Sequence, residues 1–250
     1  MTHGPGHPDP DDRMDRFRAE VHAIGTMHSD FSGKFGTPRQ PGLSPSARGV
    51  VMLEPPYDRP EVLAGLEGYS HVWLLFWFHA NRTREPRLSV RPPRLGGNRR
   101  LGVFATRSPY RPNPLGLSLL RLLGITRHGG RRALAVEGPD VIDATPVLDI
   151  KPYVPYADVA TEVRVPADFR SAPEIRLQVT FLPVASAALD AHPDGMRLRR
   201  LLEEILALDP RPAYRSARQD GRHGMRIAGL EVRWRLEGRA VLVDVVRPAT

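Results

Sequence analysis

This chain of 250 residues contains no cysteine, which excludes disulfides, thiolate metal sites and a cysteine nucleophile. It has no apolar run near the ~20 residues that a membrane span needs. Its first residues, MTHGPGHPDPDDRMD, lack the apolar stretch of a signal peptide. Lysine is nearly absent and occurs only at Lys34 and Lys151. We therefore expect a cytoplasmic protein without a membrane segment, beginning with a disordered polar tail over residues 1–18.

Three motifs of common enzyme classes are also missing. No G-x-G-x-x-G follows a first strand, and no G-x-x-x-x-G-K-[ST] occurs, so neither a dinucleotide-binding Rossmann unit nor a P-loop is supported. The G-x-S-x-G elbow of many hydrolases is absent. His71 and His79 could share a strand face, but no helical histidine pair with a third ligand accompanies them. We therefore predict no metal site.

Positive charge is concentrated in one stretch of the chain. The formal net charge is +8, and thirteen arginines but only one acid, Glu85, lie between Arg82 and Arg132. Segregation on this scale favours a polyanionic partner such as RNA or DNA. The alternative is an ordinary basic face whose arginines are solvated or paired with distant acids.

The segment Arg91–Ser118 combines arginine, proline and glycine around one predicted strand, Arg100–Thr106. Three prolines follow this strand and prevent a helix. Arg107 and Arg111 therefore lie on a stiff loop, where binding residues are common. The planar guanidinium suits phosphate or carboxylate groups, so we predict that this loop binds an anion.

Polar residues also cluster in three further segments. Phe35–Leu43 is rich in turns and carries Gln40, whose amide could bind a polar small molecule; a stiff connector is the alternative. Asp140–Tyr156 alternates carboxylates with a short strand and ends in Lys151 and two tyrosines, a composition that suits a cation, a ribose or a stacked base. Asp209–Tyr214 follows the predicted C-terminal helix, and there capping and RNA contact are equally open.

Short β-rich segments separated by glycine and proline predict an all-β N-terminal half, either a barrel or a sandwich. The predicted strands are Val21–Met27, Gly49–Leu53, His71–His79, Arg100–Thr106, Leu115–Ile125, Ala133–Glu137 and Val147–Ile150. The run Val72–Phe78 is apolar on both faces, which predicts full burial. A short helix is expected near Pro60–Leu66.

The pattern changes after Tyr156. The predicted elements there are a strand at Glu174–Leu182, an amphipathic helix at Arg197–Leu208, and a hairpin of Leu230–Leu236 with Ala240–Val246. We place a boundary within Asp158–Pro173. The expected domains are 19–160, mainly β, and 170–250, a smaller α+β domain.

Six segments together resemble one family: KFGTPRQPGL, GYSHVWLLFWFH, VRPPRLGGN, GVFATRSPYRPNPLGLS, DATPVLDIKPYVPYAD and DPRPAYR. They resemble, in the same order, the TsaA-like (YaeB/TrmO) tRNA methyltransferases, and the likeness covers roughly Val21 to Arg247. Two positions depart from the family pattern. Ala144 stands where glycine is expected, and Asp30 stands where proline is expected.

The resemblance implies a small β-barrel that binds S-adenosylmethionine without a Rossmann fold, in a homodimer with the cofactor near the subunit interface. It implies methylation of N6-threonylcarbamoyladenosine beside the anticodon of tRNA. The implied cofactor residues are Pro38, Arg39, Gln40, His79, Ala80, Arg107, Leu117, Asp140, Val141, Ile142 and Asp143. We assign the methionine carboxylate to Arg107 and the ribose to one of the two acids.

For catalysis we expect Asp149 to accept the proton of the acceptor nitrogen, with Lys151 and Tyr153 positioning the threonyl carboxylate or the adenine. A purely local role for Asp149 is the alternative. The expected tRNA contacts are Arg94, Arg99, Arg100, Arg111, Arg211, Tyr214 and Arg215. Two rival functions stay open: a noncatalytic RNA-binding β module, and a hydrolase that uses the acid pair.

Overall fold

The computed structural model describes residues 19–81, 87–95, 99–174, 177–211 and 221–249. The strands of this part of the chain are β1 (Gly25–Ser29), β2 (Arg48–Leu53), β3 (His71–Trp77), β4 (Ser89–Val90), β5 (Leu101–Gly102), β6 (Leu115–His128), β7 (Arg131–Glu137), β8 (Thr145–Pro152), β9 (Gln178–Phe181), β10 (His223–Ile227), β11 (Leu230–Glu237) and β12 (Ala240–Pro248). The α-helices are α1 (Pro60–Leu63), α2 (Pro155–Asp158), α3 (Pro183–Asp190) and α4 (Gly195–Ala207).

Six strands form a closed barrel in the order β1-β2-β7-β6-β3-β8, and β8 pairs again with β1. Burial alternates along β2 and β3, with every second side chain inside. Because successive side chains of a strand point to opposite faces, each strand contributes one row to the interior. The interior row includes Val51, Leu74 and Leu134, which are fully buried. The barrel is thus filled by its own apolar side chains.

The C-terminal strands form a second sheet in the order β10-β11-β12-β9, with β9 parallel to β12. Helix α4 buries Leu198, Leu201 and Leu202 at helical spacing. These leucines pack in a hydrophobic cluster with sheet residues that include Trp234 and Val243. The amphipathic helix and the sheet therefore share one core.

Two residues of the segment between β1 and β2 belong to this second core. Phe31 and Ala47 are buried with the C-terminal residues, and Phe31 forms an antiparallel bridge with Ile227. Asp30 strengthens the junction, because its Oδ2 accepts hydrogen bonds from Arg48 N (2.7 Å) and Arg197 Nη1 (2.6 Å). One of the two positions that depart from the family pattern thus joins the barrel to α4.

The expectation of a mainly β fold is confirmed, as are the C-terminal helix and hairpin. The predicted strand Arg100–Thr106 is wrong: β5 covers only Leu101–Gly102, and a 3₁₀ turn follows at Val103–Ala105. The turn arises because Val103 O accepts hydrogen bonds from Thr106 N (3.1 Å) and from Thr106 Oγ1 (2.8 Å). The strand therefore ends before its hydrophobic pattern does.

The expected full burial of Val72–Phe78 is also wrong. Only alternate residues of β3 are buried, and Trp73, Leu75 and Trp77 stay half-buried on the outer face of the barrel. Sequence reasoning missed α3 and β10. Pro183 at the first position of α3, a usual site for proline, could have marked that helix. No helix in the described ranges has the length and apolar character to span a bilayer.

Candidate functional site

A pocket of about 490 Å³ opens beside one end of the barrel. At this end β1 and β3 finish while β6 and β8 begin, as the pairs Trp77↔Leu115 and Met27↔Thr145 show. Four connecting segments therefore meet there, although they are far apart in sequence. The lining residues are Ser32, Gly33, Lys34, Ala80, Arg87, Tyr110 and Ile142.

Lys34 joins the segment after β1 to the segment after β3. Its Nζ donates to Ala80 O at 2.7 Å and to Asn81 Oδ1 at 3.4 Å. Asn81 in turn donates through Nδ2 to Pro109 O at 2.7 Å, so the arginine-rich loop before β6 is held in the same network. These bonds fix one side of the pocket and leave a single ammonium group on its wall.

A second group of contacts involves Asp140. Ser118 Oγ on β6 donates to Asp140 Oδ1 at 2.6 Å. Burial raises the pKa of the Asp140 carboxyl to about 6, against the lowering effects of the Ser118 bond and the charge of Arg107. The guanidinium of Arg107 donates to Gln40 Oε1. A carboxylate and a guanidinium thus lie in one neighbourhood, as recognition of a polar zwitterion requires.

Asp143 lies two residues before β8. Its Oδ1 lies 3.1 Å from His28 Nδ1 and accepts Ser29 N at 3.2 Å, while Asp143 N donates to Phe31 O at 2.7 Å. The following residue, Ala144, has a φ of 61°. This is the left-handed region that favours glycine, the residue expected here from the family pattern.

The predicted cofactor residues belong to the segments that meet at this end of the barrel. Ala80 and Ile142 line the pocket. Val141 is buried at 3% exposure, and its carbonyl accepts Ser29 Oγ, so it can support the wall but its side chain faces the core. Leu117 lies on the outer face of β6, opposite Leu75, and is 51% exposed. Pro38 is half-buried, and Arg39 and His79 are exposed.

Two of the three expected catalytic residues, Asp149 and Lys151, lie on the outer face of β8, and Tyr153 directly follows the strand. Asp149 is opposite Leu75, and Lys151 is opposite Trp73, with Lys151 Nζ 3.8 Å from Asp149 Oδ2. The Tyr153 ring contacts the rings of His71 and Trp73, each with centroids 6.3 Å apart.

None of the three lines the pocket. Tyr153 is beside the start of β3, whereas Ala80 follows its end, so the two are separated by the length of the strand, roughly 20 Å at ~3.3 Å per residue. Within one chain, the structure therefore places two cofactor candidates, Ala80 and Ile142, on the pocket and leaves Tyr153 apart from them.

The expected tRNA contacts fall into different environments. Arg99 and Arg100 are exposed, with Arg99 Nη1 3.5 Å from Asp168 Oδ2. Arg111 donates to Thr106 O at 2.8 Å and faces the Phe104 ring, so it stabilises its own loop. Tyr214, Arg215, the side chain of Arg94 and the 1–18 tail lie outside the described residues.

Arg211 requires a correction. It is buried at 8% exposure, and its Nε and Nη2 donate to the two oxygens of Asp209 at 2.7 and 2.8 Å. A guanidinium held inside the protein by a two-point ion pair cannot meet a phosphate at the surface. Its position after α4 makes it a structural residue instead.

Sequence reasoning missed Lys34, Arg87 and Tyr110 as pocket residues. The Arg87 guanidinium lies 4.6 Å from the centroid of the Tyr110 ring, a cation–π contact at the pocket wall. Two features of the sequence could have pointed to Lys34. It is one of only two lysines, and it begins the first of the six family segments. In the ranges that the structure describes, no three His, Asp or Glu residues are grouped to hold a metal.

Residues 26–159 match the family model of the tRNA-methyltransferase O N-terminal domain, and residues 174–249 match that of the TrmO C-terminal domain. A Pseudomonas aeruginosa protein, provisionally named an S-adenosylmethionine-dependent methyltransferase RcsF, is 50% identical over 218 residues, covering 86% of this chain and 91% of that protein. Escherichia coli tRNA (adenine(37)-N6)-methyltransferase is 40% identical over 227 residues, covering 90% of this chain and 96% of that protein.

The likeness extends to three dimensions. A crystal structure of TrmO from P. aeruginosa matches with a TM-score of 0.73 at 41% identity, covering 93% of this chain and 98% of that one. Sequence matches to both domain models and a structural match over nearly the whole chain agree with each other. The chain therefore belongs to the tRNA-methyltransferase O family.

Proposed function

We propose that this protein transfers the methyl group of S-adenosylmethionine to N6 of N6-threonylcarbamoyladenosine at position 37 of tRNA, in the cytoplasm. The observation that carries the proposal is a pocket at the barrel end that is lined by Lys34 and Ile142, with Asp140 two residues from Ile142 and within electrostatic range of Arg107. The proposal is also supported by the similarity to the E. coli protein named tRNA (adenine(37)-N6)-methyltransferase.

The pocket fits S-adenosylmethionine in size and chemistry. Its volume of about 490 Å³ lies in the ~300–1,000 Å³ range of small-molecule sites. We assign the methionine carboxylate to Arg107 and the ribose hydroxyls to Asp140 or Asp143, which flank the pocket residue Ile142 in sequence. Ala80 and Ile142 supply apolar wall. The barrel domain at 19–160 is accordingly the cofactor-binding domain, without any Rossmann element.

The bound cofactor supplies a methyl group activated by a sulfonium centre. The acceptor nitrogen is a weak nucleophile, because its lone pair is delocalised into the ureido group. Its proton must therefore be taken up, and Asp149 is the proposed acceptor. Lys151 and Tyr153 are proposed to hold the threonyl carboxylate or the adenine. Alignment of the two reacting atoms is the main requirement, and a preformed site supplies it.

A homodimer would account for the position of the catalytic candidates. Trp73, Leu75 and Leu117 share the outer barrel face with Asp149 and Lys151, and Leu117 is 51% exposed. This apolar surface supports the proposal of an interface between copies. We propose that two copies pack through this face, so that the outer row of one copy approaches the pocket of the other.

The tRNA is proposed to lie across the basic stretch. Arg99 and Arg100 present exposed guanidinium groups there, and Arg94 and Arg111 are close in sequence. The 170–250 domain is proposed to extend this surface through Tyr214 and Arg215. Arginine contacts with phosphates give affinity that falls steeply with salt, without reading sequence.

The decisive experiment is a methylation assay with purified protein, labelled S-adenosylmethionine and two tRNA preparations. One comes from cells able to make the threonylcarbamoyl group, and the other from cells unable to make it. A site built around a polar partner can reject the analogue lacking it by up to ~10⁴-fold, so only the first should be labelled. Equal labelling of both would overturn the substrate assignment. Absence of saturable cofactor binding in calorimetry would favour a noncatalytic RNA-binding module.

A further inference from the structure

The segment that carries Ser32, Gly33 and Lys34 to the pocket is held by the C-terminal sheet rather than by the barrel alone. We call residues 30–37 the pocket loop. Asp30 O accepts Ala228 N at 2.7 Å, Phe31 forms a bridge with Ile227, and Ser32 Oγ donates to Arg226 O at 2.9 Å. The first three residues of the loop are thus fixed to β10 and the residue after it.

The second half of the pocket loop is fixed to the same sheet by side chains. The Phe35 ring stacks on Trp234 of β11, with centroids 6.0 Å apart and planes 5° from parallel. Gly36 has a φ of 90°, and a Cβ there would lie 2.8 Å from Met225 Sδ of β10. Thr37 Oγ1 then donates to Gly33 O at 2.7 Å, which closes the loop on itself.

Lys34 lies between these two anchored ends. Its ammonium reaches Ala80 O and lines the pocket, while the neighbouring Phe35 side chain stacks on the sheet. The two side chains follow each other directly in sequence, so a displacement of Phe35 moves the backbone that carries Lys34. Trp234 is 1% exposed and packed in the C-terminal core, which gives the stack a rigid base.

We infer that Phe35 is a positioning residue, and that through it the C-terminal sheet sets the place of Lys34 in the pocket. The C-terminal unit would then determine the affinity of the pocket for its small molecule as well as any contact with RNA. This inference takes S-adenosylmethionine from the proposed function as the ligand, but its geometric part is independent of that choice.

Because the chain has only two lysines, chemical labelling can measure directly whether Phe35 positions Lys34. Lys34 and Lys151 are the only lysines, and Lys151 is 72% exposed on β8. Brief acylation followed by peptide mass spectrometry gives the labelling ratio of Lys34 to Lys151 without any ligand. In Phe35→Ala the ratio should rise about three- to tenfold, the scale of one lost aromatic pair. Phe35→Tyr keeps the ring and should restore the original ratio.

The matched control is Tyr69→Ala. Tyr69 is 41% exposed and Phe35 is 37% exposed, but Tyr69 precedes β3 at the opposite end from the pocket. This variant should leave the labelling ratio unchanged. Calorimetry on the same proteins should show S-adenosylmethionine bound about three- to tenfold more weakly by Phe35→Ala and with unchanged affinity by Tyr69→Ala.

The outcomes separate the two ideas. An unchanged labelling ratio in Phe35→Ala overturns the positioning inference, whatever the ligand does. An increased ratio with unchanged affinity for S-adenosylmethionine overturns its consequence for binding. An increased ratio in a protein whose parent binds no S-adenosylmethionine supports the anchoring of Lys34 and overturns the proposed function instead.

Discussion

Asp140 is held by Ser118 in a partly enclosed position, where burial raises the pKa of its carboxyl from 3.8 to about 6. The folded protein therefore keeps the Asp140 proton to a higher pH than the unfolded chain does. This contribution to stability is fully present below pH 3.8 and is lost as pH rises through about 6. At neutral pH the carboxylate is charged, at some cost to folding and in the form best able to accept two hydroxyl groups.

A pH dependence of cofactor binding follows. We expect the affinity for S-adenosylmethionine to fall as pH drops below about 6, by up to about tenfold per pH unit if only the carboxylate binds. Calorimetric Kd values between pH 5 and 7.5 measure this, and Asp140→Asn should bind more weakly with a flat profile. A variant that retained the slope would assign it to another group.

Arg107 is the second residue whose role is open to measurement. Arg107→Ala should weaken binding of S-adenosylmethionine by about 1.5–3 kcal/mol, the value of a charge-assisted contact, and weaken tRNA binding less. Arg107→Lys keeps the charge but lacks the planar guanidinium. Its affinity for S-adenosylmethionine should lie between those of the unchanged protein and Arg107→Ala. Calorimetry for the cofactor and fluorescence anisotropy for tRNA separate the effects. Unchanged cofactor affinity with lost tRNA binding would assign the loop to RNA.

Ala144 provides a prediction of stability. Its φ of 61° strains a residue with a Cβ, so Ala144→Gly should stabilise the fold by about 0.5–1 kcal/mol in urea unfolding. The control is Ala187→Gly in α3, an exposed helical position where glycine should cost about 1 kcal/mol. Destabilisation by both changes would contradict the assigned strain.

At the scale of elements, β3 and β6 form the pair whose ends frame the pocket. Gly116 of β6 faces Phe76 of β3, and a Cβ at Gly116 would lie 2.2 Å from Phe76 Cζ. Gly116→Ala should destabilise the protein by about 1–3 kcal/mol, since the ring must leave its place in the barrel core. Gly68→Ala meets no atom within 4 Å and serves as the matched control. Equal unfolding midpoints would contradict this packing.

The strands of the barrel could be predicted because their periodicity is local. The alternation of β2 and the apolar run of β3 are visible in the chain itself. The end of β5 could not be predicted, because it depends on hydrogen bonds to Val103 O that the hydrophobic pattern does not show. The half-burial of Trp73 depends on which face of β3 meets the interior, and that is decided only when the barrel closes.

Some residues of the candidate site could also be predicted from the sequence, and others could not. Ala80 and Ile142 could be named through the resemblance, and both line the pocket, whereas the roles of Gln40, Arg107 and Asp140 stay predictions. Lys34 and Tyr110 were missed because their place depends on contacts with Ala80 and Arg87. Arg211 was assigned to RNA because its ion pair with Asp209 is not visible in a basic sequence.

At the scale of the molecule, the barrel and the C-terminal sheet are joined through buried groups. Phe31 and Ala47 complete the C-terminal core, and Arg197 bonds to Asp30 with side chains only 20% and 11% exposed. We expect one cooperative unfolding transition. Hydrogen exchange in increasing urea should give the same opening free energy for peptides of β6 and of β11. A lower value confined to either sheet would contradict a single cooperative unit.

The order of strands in the barrel also has a consequence in time. Because β1 pairs with β8, the barrel cannot close during synthesis until β8 has left the ribosome. The pocket loop can be anchored only later, because Phe31 and Phe35 contact residues of β10 and β11. On a nascent chain the binding site can therefore form only after β11 has been synthesised, so ligand binding belongs to the end of synthesis.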